Sequence, residues 1–279
     1  MPHSLTTNSP GPPQPEPPRS AEISFPCRTI DVVAFSNGLP AIIAASLSLA
    51  ASHALGASDS EHWALLAASG TFAVYGFDRL RDTARDRETS PLRTHFVESH
   101  ARAISIGVGI AALALGAGLV GAPRRVVLLC LAVGAIGLLH RRLKGHATLK
   151  SIYVSAAWVA ICAGIPGITV ADGSGLAWVG VIFFTAISAN LAASNLGEDE
   201  AGRPRRRPRS VLRLARALAV AGVLVAMAAP PEIRPLGWIP LVEALALVFF
   251  RPSEYFGHLA VDGALLAGAL TCLLQFALF

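Results

Sequence analysis

The amino-acid sequence predicts an all-α polytopic membrane protein built as a bundle of about nine transmembrane helices. Three observations carry that expectation. Hydrophobic residues make up 53% of the 279 residues and charged residues only 15%, against about 25% charged in an ordinary soluble domain. The mean hydropathy of +0.55 is too high for a water-soluble globular chain of this size. Long apolar segments recur with short polar breaks, and they are continuous and Leu/Ala-rich rather than alternating, which argues for helices over a β-barrel.

The elements follow in order. Seven of the 19 prolines fall in the first 20 residues, among Ser, Thr and Gln. Such a composition buries little apolar area, so residues 1–27 are expected to form a disordered Pro-rich tail. No positively charged, then apolar, then small-residue segment precedes residue 28, and no cleavable signal peptide is expected. Residues 28–279 are expected to form one transmembrane domain, with spans at about 30–51, 63–80, 102–121, 125–140, 149–170, 175–195, 211–229, 235–250 and 256–278. Glycines inside these spans, such as Gly107, Gly109, Gly134 and Gly137, suit close helix packing in lipid. The four cysteines have no CxxC spacing and three lie in apolar runs, so they read as small buried hydrophobes rather than zinc ligands or a disulfide framework.

Charge gives the expected orientation. Only 2 of the 23 basic residues are Lys, and the net charge is +5. In a soluble chain that balance would suggest nucleic acid; in a membrane chain it suggests loops that face anionic lipid or phosphate, and no nucleic-acid partner is expected. With the N-terminus cytoplasmic, 20 of the 23 basic residues fall on the inner side, leaving Arg124, Arg125 and Arg234 outside. The positive-inside rule therefore places the N-terminus, and the loops after spans two, four, six and eight, in the cytoplasm of a cell (inner) membrane.

Three constellations lie on that face. Asp78, Asp82 and Asp86, at the end of span two, are spaced four apart. Each step drifts only ~40° around a helix, so the three carboxylates share one face. An aspartate at membrane depth costs about 2.5–3.5 kcal/mol, and a hard cation such as Mg²⁺ bridging to substrate phosphates is one way to offset it. Arg79, Arg81, Arg85 and Arg87 interleave with these residues and could instead pair with them in a solvated helix end. At the end of span six, Asn190, Asn195 and Asp199 share one side of a helix, ahead of an Arg-rich loop that could simply anchor to lipid phosphates. Between spans four and five lie the only two lysines, Lys144 and Lys150, which suit phosphate binding but also satisfy plain positive-inside topology. Glu243 and Asp262 fall within late spans and need a partner or a water-filled cavity. P-loop, HExxH, GxSxG and dinucleotide-binding patterns are absent.

In combination these features resemble the UbiA-type intramembrane prenyltransferases. The first aspartate-rich motif of that family, N-x3-D-x3-D, is similar to Asp78, Asp82 and Asp86, followed by Pro91 and Arg93. The second, D-x3-D, is similar to Asn195 and Asp199, with Gly202 shortly after; the Leu-Lys element looks like Leu143-Lys144 or Leu149-Lys150, and Pro166-Gly167 also fits. The resemblance covers roughly residues 28–278. It implies Mg²⁺-dependent transfer of a prenyl group from a polyprenyl diphosphate to a lipophilic, commonly aromatic, acceptor. It also implies catalytic and metal roles for Asp78, Asp82, Asp86, Asn195 and Asp199, and diphosphate contacts for Arg93, Lys144 and Lys150. Asn replaces Asp at the first position of the second motif, and an Arg-Pro-rich run follows Gly202. These departures leave open a degenerate relative that binds an isoprenoid or quinone without turnover. A small transporter is a third reading, disfavoured because the polar clusters occupy one face.

Overall fold

The computed structural model describes residues 25–87, 90–143, 147–196, 208–253 and 255–278, and no strand occurs among them. Among the described residues twelve α-helices follow one another: α1 Phe25–Phe35, α2 Gly38–Leu55, α3 Ser60–Asp86, α4 Pro91–Ser99, α5 Ala101–Leu119, α6 Arg124–Leu143, α7 Ala147–Val159, α8 Ile165–Thr169, α9 Leu176–Ser194, α10 Pro208–Ala228, α11 Trp238–Val248 and α12 Asp262–Leu278. A π-helical turn, Ala160–Gly164, joins α7 to α8; a second, Phe256–Val261, leads into α12.

Among the described residues, six stretches are long and apolar enough to cross a membrane: Gly38–Leu55, Ala101–Leu119, Ser151–Thr169, Leu176–Ser194, Arg209–Ala228 and Phe256–Leu278. They coincide with six of the expected spans and are compatible with an integral membrane protein. The other three expected spans coincide with α3, α6 and α11, which are not among the six. Charges occupy the last turns of α3, α11 is only 11 residues long, and the side chains of α6 past Gly137 lie outside the described residues. The outer surface exposes Ile106, Ile110, Leu113, Leu128, Leu131 and Leu224, as suits hydrocarbon surroundings. The expected tail lies outside the described residues up to Ser24, and α1 begins within its last three positions.

The first expected span is divided. α1 stops at Phe35 and α2 starts at Gly38, because Asn37 takes a left-handed backbone conformation with φ of 65°, which Asn tolerates better than most residues. Inside the bundle, Ile43 and Leu47 of α2 pack with Phe183 and Ile187 of α9, Ile239 of α11 and Leu265 of α12. Buried polar groups tie neighbouring helices. Ser188 of α9 donates to Ser155 of α7 at 2.9 Å. Arg216 of α10 donates to the carbonyls of Leu247 and Val248, satisfying the orphan acceptors at the end of α11.

Among the close approaches that depend on glycine are two between neighbouring helices. A Cβ on Gly76 of α3 would run into the Val108 side chain of α5. On Gly268 of α12 it would sit 2.6 Å from Cα of Ile239, where backbone cannot yield. Gly263, in the same helix, faces open space. Gly268→Ala is therefore expected to destabilise the protein by about 1–3 kcal/mol through overpacking, while Gly263→Ala is neutral or slightly stabilising; thermal unfolding in detergent compares the two.

Glu243 of α11 is 0% exposed, and neither carboxyl oxygen has a hydrogen-bond partner. A buried acceptor left unmade costs about 1–3 kcal/mol, and an apolar residue of like shape removes the cost. Glu243→Met is expected to raise the melting temperature in the same measurement; a drop would show that the carboxyl is held by something the packing alone does not supply.

Candidate functional site

The three aspartates of α3 stand one turn apart, as their spacing requires, and meet different surroundings. Asp78 takes a 3.0 Å ion pair from Arg81, and the same guanidinium reaches Asp82 at 3.4 Å. Asp86 pairs at 3.2 Å with Arg93, carried on α4. Pro91 opens α4 at its first turn, where a missing N–H costs nothing, and a second bond from Arg87 to Glu98 at 2.6 Å holds α4 to the end of α3. Arg79, only 8% exposed, donates to the Phe35 carbonyl at 2.7 Å, so α3 also closes the C-terminus of α1. Of the pairing that the interleaved arginines allow, Arg81 forms the contacts to Asp78 and Asp82, while Asp86 takes its partner from α4.

Asp78, Arg79, Asp86 and Arg93 line one end of a cavity of about 410 Å³. Other elements bring Ser151 and Tyr153 of α7, Asn190, Ser194 and Asn195 at the end of α9, and His258 and Asp262 at the start of α12. From this polar end the cavity continues between apolar side chains, among them Ile43 of α2, Leu66 and Val74 of α3, Leu115 of α5, Val133 of α6 and Ile161 beside α7. At the boundary, one turn inward from Asp78, the Trp158 indole donates to the Tyr75 hydroxyl at 3.0 Å, with the rings edge to face at 6.1 Å between centroids. The cavity is therefore amphiphilic along its length, with oxygen donors and guanidinium groups at one end and an aliphatic and aromatic sleeve behind them.

The expected site residues are distributed unevenly. Asp78, Asp86, Asn195 and Arg93 meet at the polar end. Asp82 lies outside the cavity lining and is 3% exposed, tucked against Arg81. Lys144 and Asp199 lie outside the described residues; Lys150 falls on α7, and its side chain lies outside them too. Among the described residues, no group of three or more His, Cys, Asp or Glu side chains converges closely enough to hold a metal ion. The donors that line the polar end are carboxylate and amide oxygens, the type Mg²⁺ takes. That ion commonly uses only one or two carboxylates and completes its shell with water and substrate phosphate.

Sequence reading missed His258. Its Nδ1 lies 3.5 Å from Asp262 Oδ2, and its ring meets Phe35 edge to face at 5.7 Å. The four-residue spacing from Asp262 was the available signal. The π turn that presents both side chains leaves no mark in the hydrophobic pattern. Comparison of the chain with family models, curated proteins and solved structures finds no match.

Proposed function

We propose that the cavity binds a polyprenyl diphosphate, and that the protein transfers the prenyl group to a lipophilic acceptor within the membrane with the help of Mg²⁺. The observation that supports this reading is the amphiphilic cavity itself: Asp78, Asp86 and Arg93 at one end, and an apolar sleeve beginning one turn away at Tyr75 and Trp158. The diphosphate belongs at the polar end and the isoprenoid tail in the sleeve. In this reading α3, α6 and α11 also cross the bilayer, giving nine spans, and the polar end faces the cytoplasm, where most of the arginines lie.

Bound Mg²⁺ would neutralise phosphate charge and improve the leaving group. Asp78, Asp86 and Asn195 are the residues to hold it, with Asp82 supporting through Arg81. Arg93 is placed to take charge developing on the diphosphate oxygens as the C–O bond breaks. The apolar sleeve keeps water from the electron-deficient carbon until the acceptor captures it.

A second reading, a lipid-binding relative without turnover, is favoured by one observation: Asp78, Asp82 and Asp86 each pair with an arginine. The two readings give opposite signs for one substitution. If Mg²⁺ bridges the carboxylates to the diphosphate, Asp86→Ala weakens geranylgeranyl diphosphate binding by about tenfold or more, and chelator does the same to the unaltered protein. If Arg93 alone meets the anion, Asp86→Ala removes a competing carboxylate and strengthens binding, and chelator changes nothing. Calorimetric titration of the detergent-purified protein separates them.

A further inference from the structure

Outside the cavity, arginines gather where α10 and α11 meet, at the end away from their connecting loop. Arg209, Arg213 and Arg216 are spaced four and three residues apart on α10, which puts them within a ~60° sector of the helix. The last of them is anchored: the Arg216 guanidinium donates to the carbonyls of Leu247 and Val248 at the end of α11. That contact fixes which way the stripe faces. Arg209 and Arg213 therefore continue it past the end of α11, alongside the residues that leave that helix, where Arg251 supplies a third exposed guanidinium. Phe250 packs on the buried cluster that includes Ala215 and Ala219 of α10, which holds this exit segment against α10.

These charges are unanswered. Arg209, Arg213 and Arg251 are exposed, and among the described residues none of their side chains has an ion-pair or hydrogen-bond partner. Their depth is also set, because the apolar stretch of α10 that is long enough to cross a membrane begins at Arg209. Arginines in the first turns of such a stretch meet the headgroup layer. The surface beside them is apolar: Leu214 is 56%, Val248 59% and Phe249 74% exposed. Two guanidinium groups rising about 6 Å apart along one helix face suit a single phosphate held by forked hydrogen bonds. Exposed Leu214, Val248 and Phe249 add contact area for hydrocarbon. A soluble anion uses the first feature alone, whereas a phospholipid uses both.

We propose that this end of the α10–α11 pair binds an anionic phospholipid, one whose phosphodiester has no compensating ammonium, as in phosphatidylglycerol. Its phosphate lies between Arg209 and Arg213 with Arg251 beside it, and its acyl chains run over Val248 and Phe249. A zwitterionic headgroup would carry its own cation into a field of three arginines, which disfavours it. A lipid held there ties the start of α10 to the segment leaving α11, adding to the Arg216 contact. None of these residues lines the cavity, so the lipid site stands or falls independently of the diphosphate reading.

The test titrates the detergent-purified full chain with phosphatidylglycerol and with phosphatidylcholine of the same acyl chains, and counts bound lipid by native mass spectrometry. One arginine near an anionic lipid surface is worth about fivefold. The unaltered protein is expected to prefer phosphatidylglycerol by about twentyfold or more. Arg209→Gln combined with Arg213→Gln should cut that ratio by about tenfold or more while phosphatidylcholine binds as before, and Arg251→Gln alone should cut it by about fivefold. The control pair Arg124→Gln and Arg125→Gln, two exposed arginines at the start of α6, should leave it unchanged. Glycerol 3-phosphate in tenfold excess over the lipid should not displace it. The proposal is overturned by a missing preference in the unaltered protein, or by one that survives both the paired and the Arg251 substitutions. An equal loss in the α6 control would also overturn it, by showing diffuse attraction, as would displacement by glycerol 3-phosphate, by showing a site for the free anion.

Discussion

A carboxylate carried toward hydrocarbon needs a cation, and α3 carries three of them on one face. Arg81 spans Asp78 and Asp82, Arg93 reaches Asp86 from α4, and Arg79 turns to the end of α1. This lattice of guanidinium and carboxylate decides where α4 lies, where α1 stops, and which carboxylates remain in contact with the cavity. Its members differ in burial. Asp82 is enclosed, and pairing with one guanidinium keeps the site folded; Asp78 and Asp86 sit where a ligand or hydrated ion can exchange with an arginine. An ion pair that is modest in a resting protein becomes a switchable contact when the competing charge belongs to a substrate.

The rest of the cavity follows from how the helices approach one another. α3 comes close to α5 at Gly76, where the Val108 side chain fills the space a Cβ would need, and α12 meets the backbone of α11 at Gly268. α6, by contrast, faces the cavity with Val133, Gly134 and Gly137, and the Gly134 position meets open space. Tight packing on one side and small residues on the other leave a volume that is narrow, apolar and continuous with the charged end. The Trp158–Tyr75 hydrogen bond marks the boundary, since it gives the indole N–H an acceptor where water is scarce.

Much of this was legible in the sequence, for definite reasons. Continuous apolar runs located the helices, because only a helix satisfies its own backbone in lipid. The four-residue spacing of Asp78, Asp82 and Asp86 put them on one face before any coordinates, and the end of α9 was marked by Asn190 and Asn195. Other features leave weak signals. The break at Asn37 depends on one left-handed residue inside an apolar run. The π turns at Ala160–Gly164 and Phe256–Val261 add a residue to a turn without changing its hydrophobicity. Asp262 and Glu243 looked alike, two acidic residues in late spans. The structure separates them: Asp262 meets His258 on the cavity wall, whereas both oxygens of Glu243 lack partners. Burial and partnership are three-dimensional properties that spacing along one helix does not encode.

The central claim is that one cavity holds an anionic head beside Asp78 and Asp86 and an apolar tail past Trp158. The most direct measurement is an anomalous difference map from crystals grown with Mn²⁺ in place of Mg²⁺ and a non-hydrolysable prenyl thiodiphosphate. The account predicts a metal peak between the ends of α3 and α9, with tail density running past Tyr75 and Trp158 into the sleeve. A cavity that remains empty, or a ligand lying against the outer face of the bundle with no metal peak at α3, would contradict it.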